Sequence, residues 1–417
     1  MLRKISRSLV MVTLALFACS KDDEAPTFEF VIVVDPGYFA LDADAWIILH
    51  DKAGKTIGES QLTDGKTTRF KVSTNKIGVT LVKVATNISN NLPFFQLESF
   101  LNVDATATWT LKKSSSSTAC GLPIGTVEII VSDPDIGNNL CGSFGSKGSF
   151  NLPNTNTSTS TSMSFAPMTV YTGCNNAFLY MMDKNRVPHY KMMENVNPGK
   201  YTYTISQLQN FDEVIVVNYK ETTYSLLKVA ALEASQSVYD AGYTTNATLG
   251  DYLKSVNTSS VKIGYLNRFP KYVTTLSLNY PGYGMLYEEA GGVPSAITMP
   301  ETFMATITDK TPGGYTFSVN ELIVYRQVYF DYYPLASVGE SGMSWLINSG
   351  SEKDFKNITS LPTQFITKYP QFKIENLKYS SSTFFKEYQT IDAIVSQRFG
   401  NVARPESYKT VRKAFYN

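Results

Sequence analysis

The sequence contains few of the residues that most often bind metals. Its 417 residues include only two histidines, His50 and His189, and four cysteines, and no two cysteines are spaced as C-x-x-C. Structural zinc sites draw their ligands from clusters of these two residue types. The composition therefore argues against a Cys/His zinc site, and we expect neither a metal nor another cofactor.

An excess of basic charge is also missing. Lys and Arg together number 37, and Asp and Glu 36. Domains that bind nucleic acid carry clustered basic residues, so the near-neutral balance argues against a nucleic-acid partner. Beyond the first residues no apolar run approaches the roughly 20 residues that a membrane-spanning helix requires.

The first 19 residues have the features of an exported lipoprotein. Basic residues at positions 3, 4 and 7 precede the short apolar run 9–17, which is the pattern of a secretory signal peptide. The tetrapeptide LFAC at 16–19 resembles a bacterial lipobox, and the resemblance implies cleavage after residue 18 and lipidation of Cys19. The alternative is an ordinary signal peptide in which the cysteine is incidental.

The segment SKDDE at 20–24 follows Cys19 directly. It resembles the lysine-plus-acidic export signal of Bacteroidota surface lipoproteins, which implies display on the outer face of the outer membrane. Two or more acyl chains are enough to hold a protein on a membrane. We therefore predict a signal peptide at 1–18 and a lipidated acidic tether at 19–26. A solvated acidic tether without an export role is the alternative interpretation of these charges.

Three further cysteines allow one internal disulfide. Oxidising compartments such as the bacterial envelope permit disulfides, but the spacing of Cys120, Cys141 and Cys174 does not select among the three pairings.

Alternation of apolar and polar residues at period two is the main structural signal. It is clear in TRFKV at 68–72, TWTL at 108–111, TFMATIT at 302–308 and YTFSV at 315–319. Side chains of a strand point to opposite faces in turn, so these segments predict strands with one buried face. Many such strands separated by turn signals are typical of antiparallel sandwiches. We predict a mainly β protein of tandem antiparallel β-sandwich domains, Ig-like or transthyretin-like.

Linker composition suggests three domains. The run SSSST at 114–118 is typical of a flexible linker. We predict a first sandwich at 27–113, a linker at 114–122, a second sandwich at 123–260 and a tyrosine-rich, β-rich domain at 261–417. Apolar residues recur at helical spacing before Gly400, at Tyr388, Ile391, Val395 and Phe399, so the last domain is expected to carry one helix.

Two segments of the chain echo each other. AWIILHDKAGKT at 45–56 aligns with AFLYMMDKNRVP at 177–188, and each precedes a second strand, DGKTTRFKVS at 64–73 and NPGKYTYTIS at 197–206; TPGGYTFSVN at 311–320 is a third version. These elements resemble the transthyretin-like or carboxypeptidase-regulatory-like sandwich modules, a resemblance that implies a fold and no activity. Unrelated sandwiches can also produce such an echo.

No complete catalytic motif is present. Ser225 and Lys228 fit an S-x-x-K pattern, but the K-T-G strand of penicillin-binding serine enzymes is missing and no G-x-S-x-G occurs. DPDIGNN at 133–139 offers oxygen ligands without the spacing of a calcium loop, so an Asx-capped turn is the simpler interpretation. Glu288 and Glu289 are adjacent and would face opposite sides of a strand. We expect a protein that is not an enzyme.

Tyrosine is concentrated near the C-terminus. NYPGYGMLYEEAGG at 279–292 combines several tyrosines with proline and glycine. A tyrosine ring offers a flat apolar face and a hydroxyl, which suits stacking on sugars or anchoring a protein partner. Tyr280, Tyr283 and Tyr287 are the candidate ligand-binding residues, although tyrosine also packs well within sheets.

Together these features predict an outer-membrane surface lipoprotein that acts as a non-catalytic binding module for a glycan, a peptide or an envelope protein. The alternative is a structural or assembly subunit of an outer-membrane complex. A hydrolase with a dispersed active site is a third hypothesis.

Overall fold

A computed structural model describes residues 27–39, 44–87, 91–113, 121–136, 141–147, 149–154, 156–220, 224–249, 260–335 and 339–417. Within these residues the secondary structure is dominated by strands, with two short α-helices, which confirms the predicted mainly β fold. The predicted lipidation site Cys19, the tether and residues 114–120 of the predicted linker lie outside the described residues.

The N-terminal segment forms the first β-sandwich. Its strands are β1 (Phe28–Val34), β2 (Asp44–His50), β3 (Thr56–Leu62), β4 (Thr67–Val72), β5 (Lys76–Thr86), β6 (Pro93–Asp104) and β7 (Thr108–Leu111). β1 pairs antiparallel with β4 and parallel with β7, and this small sheet packs against β2, β5 and β6. Trp109 and Leu111 are buried while Thr108 is exposed, so the alternation predicted for this strand is confirmed.

The middle of the chain forms a second sandwich. Its strands are β8 (Pro123–Ser132), β9 (Gly142–Ser146), β10 (Ser149–Asn151), β11 (Ser162–Ser164), β12 (Met168–Tyr171), β13 (Ala177–Met182), β14 (Pro188–Met193), β15 (Gly199–Tyr203) and β16 (Gln209–Asn210). One sheet is built around β8 and the other has the order β10-β9-β13-β14-β16. A core that includes Val127, Phe144 and Leu179 fills the space between them.

The remaining strands complete the architecture. They are β17 (Glu213–Asn218), β18 (Tyr224–Leu232), β19 (Tyr243–Leu249), β20 (Ser260–Tyr265), β21 (Lys271–Tyr280), β22 (Tyr283–Gly291), β23 (Ala305–Asp309), β24 (Thr316–Val319), β25 (Tyr325–Tyr332), β26 (Met343–Ser349), β27 (Lys378–Glu387) and β28 (Tyr408–Tyr416). β17 pairs with β20, and β23 with β24, in two separate two-stranded sheets.

One long sheet connects all parts of the chain. Twelve strands follow the order β19-β18-β21-β22-β28-β27-β25-β26-β6-β5-β2-β3. β6 pairs parallel with β26, and β18 pairs antiparallel with β21. Strands from all three predicted domains therefore hydrogen bond in one sheet, and the predicted boundary at 260 coincides with the first residue of β20. Local composition marks the loops, but it carries no information about which distant strands pair.

Two α-helices lie in the C-terminal part, α1 (Thr363–Lys368) and α2 (Ile391–Phe399). Helix α2 is the predicted one: Ile391, Val395 and Phe399 are its buried residues, and it ends at Gly400. Tyr388, the first residue of the predicted set, precedes the helix. At its start the Thr390 hydroxyl accepts a hydrogen bond from the backbone N–H of Ala393, which satisfies one free donor of the first turn. The helix packs into the core of the first sandwich.

The echo in the sequence corresponds to two hairpin loops of the same construction. Asp51 and Asp183 open the β2–β3 and β13–β14 loops. Each uses Oδ1 to accept hydrogen bonds from the N–H groups two and four residues further on, at 2.9 Å in the first loop and 2.8 Å in the second. The fourth loop residue has a positive φ in both, +83° at Gly54 and 59° at Arg186. An Asp side chain that closes its own turn thus fixes the shape of both loops.

The described cysteines limit the disulfide pairing. Cys174 is disulfide-bonded, whereas Cys141 is a free thiol with 1% of its surface exposed. The two pairings that involve Cys141 are thereby excluded. Burial raises the pKa of the Cys141 thiol to about 12, so this thiol stays protonated and unreactive at neutral pH.

Candidate functional site

The three tyrosines predicted to bind a ligand do not form one site in the structure. Tyr280 and Tyr283 face each other across the Pro281–Gly282 turn and stack with their ring centroids 4.8 Å apart. Both rings are half-buried against the core. The Lys413 ammonium lies 4.4 Å from the centroid of Tyr283, on the strand that flanks β22 on its other side. The two rings therefore form a packed pair at the end of a hairpin.

Tyr287 lies inside the core. None of its surface is exposed, and its hydroxyl contacts the Glu289 carboxylate and, at 3.2 Å, the carbonyl of Ala296. Burial, reinforced by the neighbouring carboxylate, raises the pKa of Tyr287. A sugar cannot stack on this ring in the observed conformation. The period-two alternation predicts that the two faces of β22 differ, but it does not predict which face is buried.

A cavity of about 530 Å³ lies on one face of the long sheet, where it meets the first sandwich and helix α2. We call it the lysine cleft. Its polar lining residues include Tyr38, Lys83, Glu98, Lys112 and Arg398, and Leu346 and Phe399 contribute apolar surface. Small-molecule sites usually have volumes of about 300–1,000 Å³, with a few polar groups set among apolar ones.

Positive charge dominates the lysine cleft. The Lys83 ammonium donates to the Tyr38 hydroxyl at 2.6 Å. The Lys112 ammonium donates to the Gly400 carbonyl at 2.9 Å and to Asn401 Oδ1 at 3.0 Å. Within the described part of the chain neither lysine contacts a carboxylate. The cleft's carboxylate, Glu98, is already paired with Arg398, so the two ammonium groups attract a ligand that is rich in oxygen or negatively charged.

A second cavity of about 300 Å³ adjoins the first, because Arg398 lines both. We call it the tyrosine cleft. It is lined by aromatic and planar polar side chains, among them Tyr239, Glu288, Tyr388, Gln389, Arg404 and Tyr408.

Aromatic stacking organises the tyrosine cleft. Tyr239 and Tyr408 stack with centroids 5.9 Å apart and an interplanar angle of 11°. The Arg404 guanidinium lies 5.2 Å from the centroid of Tyr239. Tyr239 and Tyr388 each expose about two-fifths of their surface, 41% and 38%. Burial of their remaining surface raises the pKa of both hydroxyls, so they stay protonated hydrogen-bond donors at neutral pH.

Two hydrogen bonds position the polar atoms of the tyrosine cleft. The Tyr408 hydroxyl donates to Glu288 Oε1 at 3.0 Å, and Thr275 Oγ1 donates to Glu288 Oε2 at 3.2 Å. Glu288 thus presents a fixed carboxylate on the same face of the sheet as the cleft. Its neighbour Glu289 faces the opposite side and contacts Tyr287, as expected for adjacent residues of a strand.

The other segments considered for chemistry have structural roles. Ser225 and Lys228 lie within strand β18, not at the start of a helix as an S-x-x-K nucleophile requires. Asp133 directly follows strand β8 and accepts hydrogen bonds from the backbone N–H groups of Asp135 and Ile205, so the predicted Asx turn is confirmed. His189 pairs with Asp183 at 3.4 Å.

A search of the described residues finds no group of three or more His, Cys, Asp or Glu side chains placed to hold a metal ion. The same residues contain no helix with the length and apolar character needed to cross a membrane.

The residues of the two clefts were not predicted from the sequence. Lys83, Glu98 and Lys112 belong to the first predicted domain, while Arg398 and Tyr408 belong to the last. Their proximity depends on the pairing of β6 with β26 and on the docking of α2. The tyrosine-rich C-terminal part of the chain contributes Tyr388 and Tyr408 to the tyrosine cleft.

No protein-family model matches the chain, and no curated protein matches it.

Proposed function

We propose that this protein is a non-catalytic, glycan-binding lipoprotein of the outer-membrane surface, and that the lysine and tyrosine clefts form its binding site. The observation that carries the proposal is that two adjoining cavities share Arg398 and are lined by tyrosine rings, ammonium groups and planar amide, carboxylate and guanidinium groups.

The chemistry of a sugar suits this lining. Each pyranose ring has an apolar face of C–H groups and a rim of hydroxyls. Half-exposed rings such as Tyr239 and Tyr388 offer apolar area with little loss of side-chain entropy. Glu288 accepts hydrogen bonds and Arg404 donates them, so together they can satisfy hydroxyls that both donate and accept.

The proposed location rests on the N-terminal residues. Lipidation of Cys19 would anchor the protein, and the acidic segment after it would direct the protein outward. Metabolic labelling with a fatty-acid analogue, followed by fractionation, tests this part. Label and membrane association should both be lost in Cys19→Ala, and labelling that persists in the variant would contradict it.

Binding is tested with residues 26–417 on an array of neutral and acidic polysaccharides. Tyr239→Ala and Tyr388→Ala should weaken binding at least about tenfold, because each removes an exposed stacking surface. Tyr283→Ala tests the stacked Tyr280–Tyr283 pair, and Tyr416→Ala, which removes a ring of 48% exposure, is the matched control.

The outcomes separate the candidate sites. Loss of binding in the Tyr239 and Tyr388 variants, with normal binding in the other two, supports the clefts. Loss in Tyr283→Ala alone would assign the site to the Tyr280–Tyr283 pair. Absence of binding to every glycan would contradict the proposed function.

A second candidate, an assembly subunit of an envelope complex, is favoured by strand β17. Val214 and Val216 on this strand are 42% and 53% exposed, and the strand belongs to a sheet of two strands. Exposed apolar strands of this kind are used for pairing with another chain. Crosslinking in intact outer membranes, with Val216→Lys as the variant, would detect such a partner.

A further inference from the structure

A third cavity, of about 260 Å³, lies on the other face of the long sheet. Its floor includes Arg326 and Val328 of β25 and Ile347 of β26, and its walls come from segments 309–316 and 353–357. Ile347 directly follows Leu346 of the lysine cleft, and successive side chains of a strand point to opposite faces. The cavity is therefore separate from the proposed glycan site.

Arg326 is a buried cation without a carboxylate partner among the described residues. It exposes 4% of its surface, and its guanidinium donates through Nη1 to the carbonyl of Glu352 at 2.6 Å. The Glu352 carboxylate is turned elsewhere and accepts from Ser349 Oγ and the N–H of Gly350. A guanidinium has five N–H donors, so among the described residues this hydrogen bond leaves donor capacity free. The guanidinium also lies 4.6 Å from the centroid of the Phe317 ring. A buried charge without a partner destabilises the folded protein.

Asn357 is the second unsatisfied group in this cavity. It lines the cavity, exposes 4% of its surface and donates through Nδ2 to the carbonyl of Pro312 at 3.5 Å. Oδ1 is buried and has no hydrogen-bond partner. A buried acceptor of this kind is normally satisfied in native proteins. The cavity thus holds an unused acceptor together with a cation that has unused donors.

The charges around the cavity have one dominant sign. Lys353 and Lys356 line it together with Arg326, against the single carboxylate of Asp309. Asp309 Oδ1 already accepts hydrogen bonds from the N–H and the hydroxyl of Thr311, both at 2.8 Å. Three cations therefore face one carboxylate that is largely satisfied within its own loop.

We propose that this cavity binds a small organic acid that carries a hydroxyl group near its carboxylate, such as a free sugar acid. The carboxylate would accept hydrogen bonds from the N–H groups of Arg326. The guanidinium is planar and presents its N–H donors in parallel pairs, which match the two oxygens of a carboxylate. The hydroxyl would donate to Asn357 Oδ1. The lysines would supply attraction at the mouth and exclude neutral or cationic molecules of the same size.

Burial of the Arg326 charge also favours the binding of a carboxylate. The removal of Arg326 from water lowers its pKa to about 10, although the guanidinium remains charged at neutral pH. A bound carboxylate would compensate this charge, so the ligand should stabilise the folded protein by mass action.

The test uses residues 26–417, with D-glucuronate as the probe and D-glucose as its neutral counterpart. Thermal denaturation and calorimetry should show that glucuronate binds and raises the melting temperature, while glucose at the same concentration does neither. Arg326→Lys keeps the charge but loses the paired planar donors, and Asn357→Ala loses the acceptor. Each should weaken glucuronate binding at least about tenfold.

Arg326→Met provides a second readout. Methionine fills a similar volume without charge, so without ligand this variant should melt at the same temperature as the wild type or higher, and glucuronate should no longer shift its melting. A merely structural arginine would give the opposite result, a lower melting temperature in Arg326→Met and no glucuronate effect in the wild type.

Tyr239→Ala separates this site from the glycan clefts. Glucuronate binding that survives Tyr239→Ala but not Arg326→Lys supports the cavity. Binding that is lost in Tyr239→Ala and kept in Arg326→Lys would place the sugar acid in the clefts and overturn the proposal, as would equal binding of glucose or no binding at all.

Discussion

Arg398 of helix α2 and Glu98 of strand β6, 300 positions apart in the chain, form a two-point ion pair. The Nη1–Oε1 and Nη2–Oε2 distances are both 2.5 Å. The guanidinium also lies 5.3 Å from the centroid of Phe100 and 5.0 Å from that of Phe399. This pair joins the C-terminal helix to the first sandwich at the place where the two proposed binding clefts meet.

Arg398→Gln is expected to affect binding much more than stability. The Arg398 side chain is 46% exposed, and ion pairs in contact with solvent contribute at most about 1 kcal/mol. The same change removes a donor from both clefts. Glycan affinity should fall at least about tenfold while the midpoint of urea denaturation changes little. Glu98→Gln is the matched control: it frees the Arg398 cation, so binding of acidic glycans should persist or strengthen.

Phe399→Ala should strongly destabilise the protein. Phe399 is 3% exposed and stacks on Trp109, with the centroids 4.2 Å apart and an interplanar angle of 7°. Truncation of a buried phenylalanine leaves a cavity and typically costs about 3–5 kcal/mol. Urea denaturation measures this loss. Val402→Ala, three residues further on at a position of 57% exposure, should change the free energy of unfolding by less than about 0.5 kcal/mol. Similar effects of both changes would contradict the docking of α2.

His50 should make stability depend on pH in mildly acidic solution. Burial lowers its pKa from 6.5 to about 4, and its ring lies so close to Gly78 that a Cβ there would be 2.0 Å from Cε1. Between these two pKa values the unfolded chain binds a proton that the folded protein does not. The free energy of unfolding should therefore fall as the pH drops through this window, by about 2 kcal/mol between pH 7 and pH 4.5.

The measurement compares urea denaturation of the wild type and His50→Gln at both pH values. Carboxylates contribute to the pH dependence of the free energy of unfolding in both proteins. The difference between the two pH dependences is therefore the contribution of His50. Equal pH dependence in the two proteins would show that His50 does not titrate in this way.

Substitutions at the equivalent positions of the β2–β3 and β13–β14 loops should have opposite effects on stability. Gly54 has φ +83°, and a Cβ at that position would lie 2.4 Å from the Asn357 carbonyl oxygen. Gly54→Ala should therefore destabilise the protein by about 1–3 kcal/mol. Arg186 has a φ of 59° in the second loop. Arg186→Gly relieves that strain, so it should be neutral or stabilising, within about 1 kcal/mol. Thermal denaturation that ranks the two changes in the reverse order would contradict the equivalence of the loops.

Features that depend on neighbours in the sequence were predicted well. Helix α2 was predicted because Ile391, Val395 and Phe399 recur at helical spacing before Gly400. The buried face of β7 was evident from the alternation around Trp109. The similarity of the two hairpin loops was visible because an Asp that caps its own turn acts over only four residues.

The assignment of tyrosines to a site was less reliable. Tyr280, Tyr283 and Tyr287 were selected because they lie close together in a segment rich in glycine and proline. In the structure one is fully buried and two pack on each other. Which face of a strand is buried depends on the elements that pack against it. The sequence of the strand alone does not identify those elements.

By itself the sequence determined the mainly β composition, helix α2 and the Asp-capped turns, because these follow from backbone periodicity and short-range hydrogen bonds. Only the tertiary structure decided that three predicted domains share one twelve-stranded sheet. The same pairing brings Lys83, Glu98 and Arg398 to one cleft and leaves Arg326 buried without a carboxylate partner in the described part of the chain. The physical reason is that backbone hydrogen bonds between strands are nearly independent of side chains, so the partner of β6 was chosen by the packing of the whole molecule.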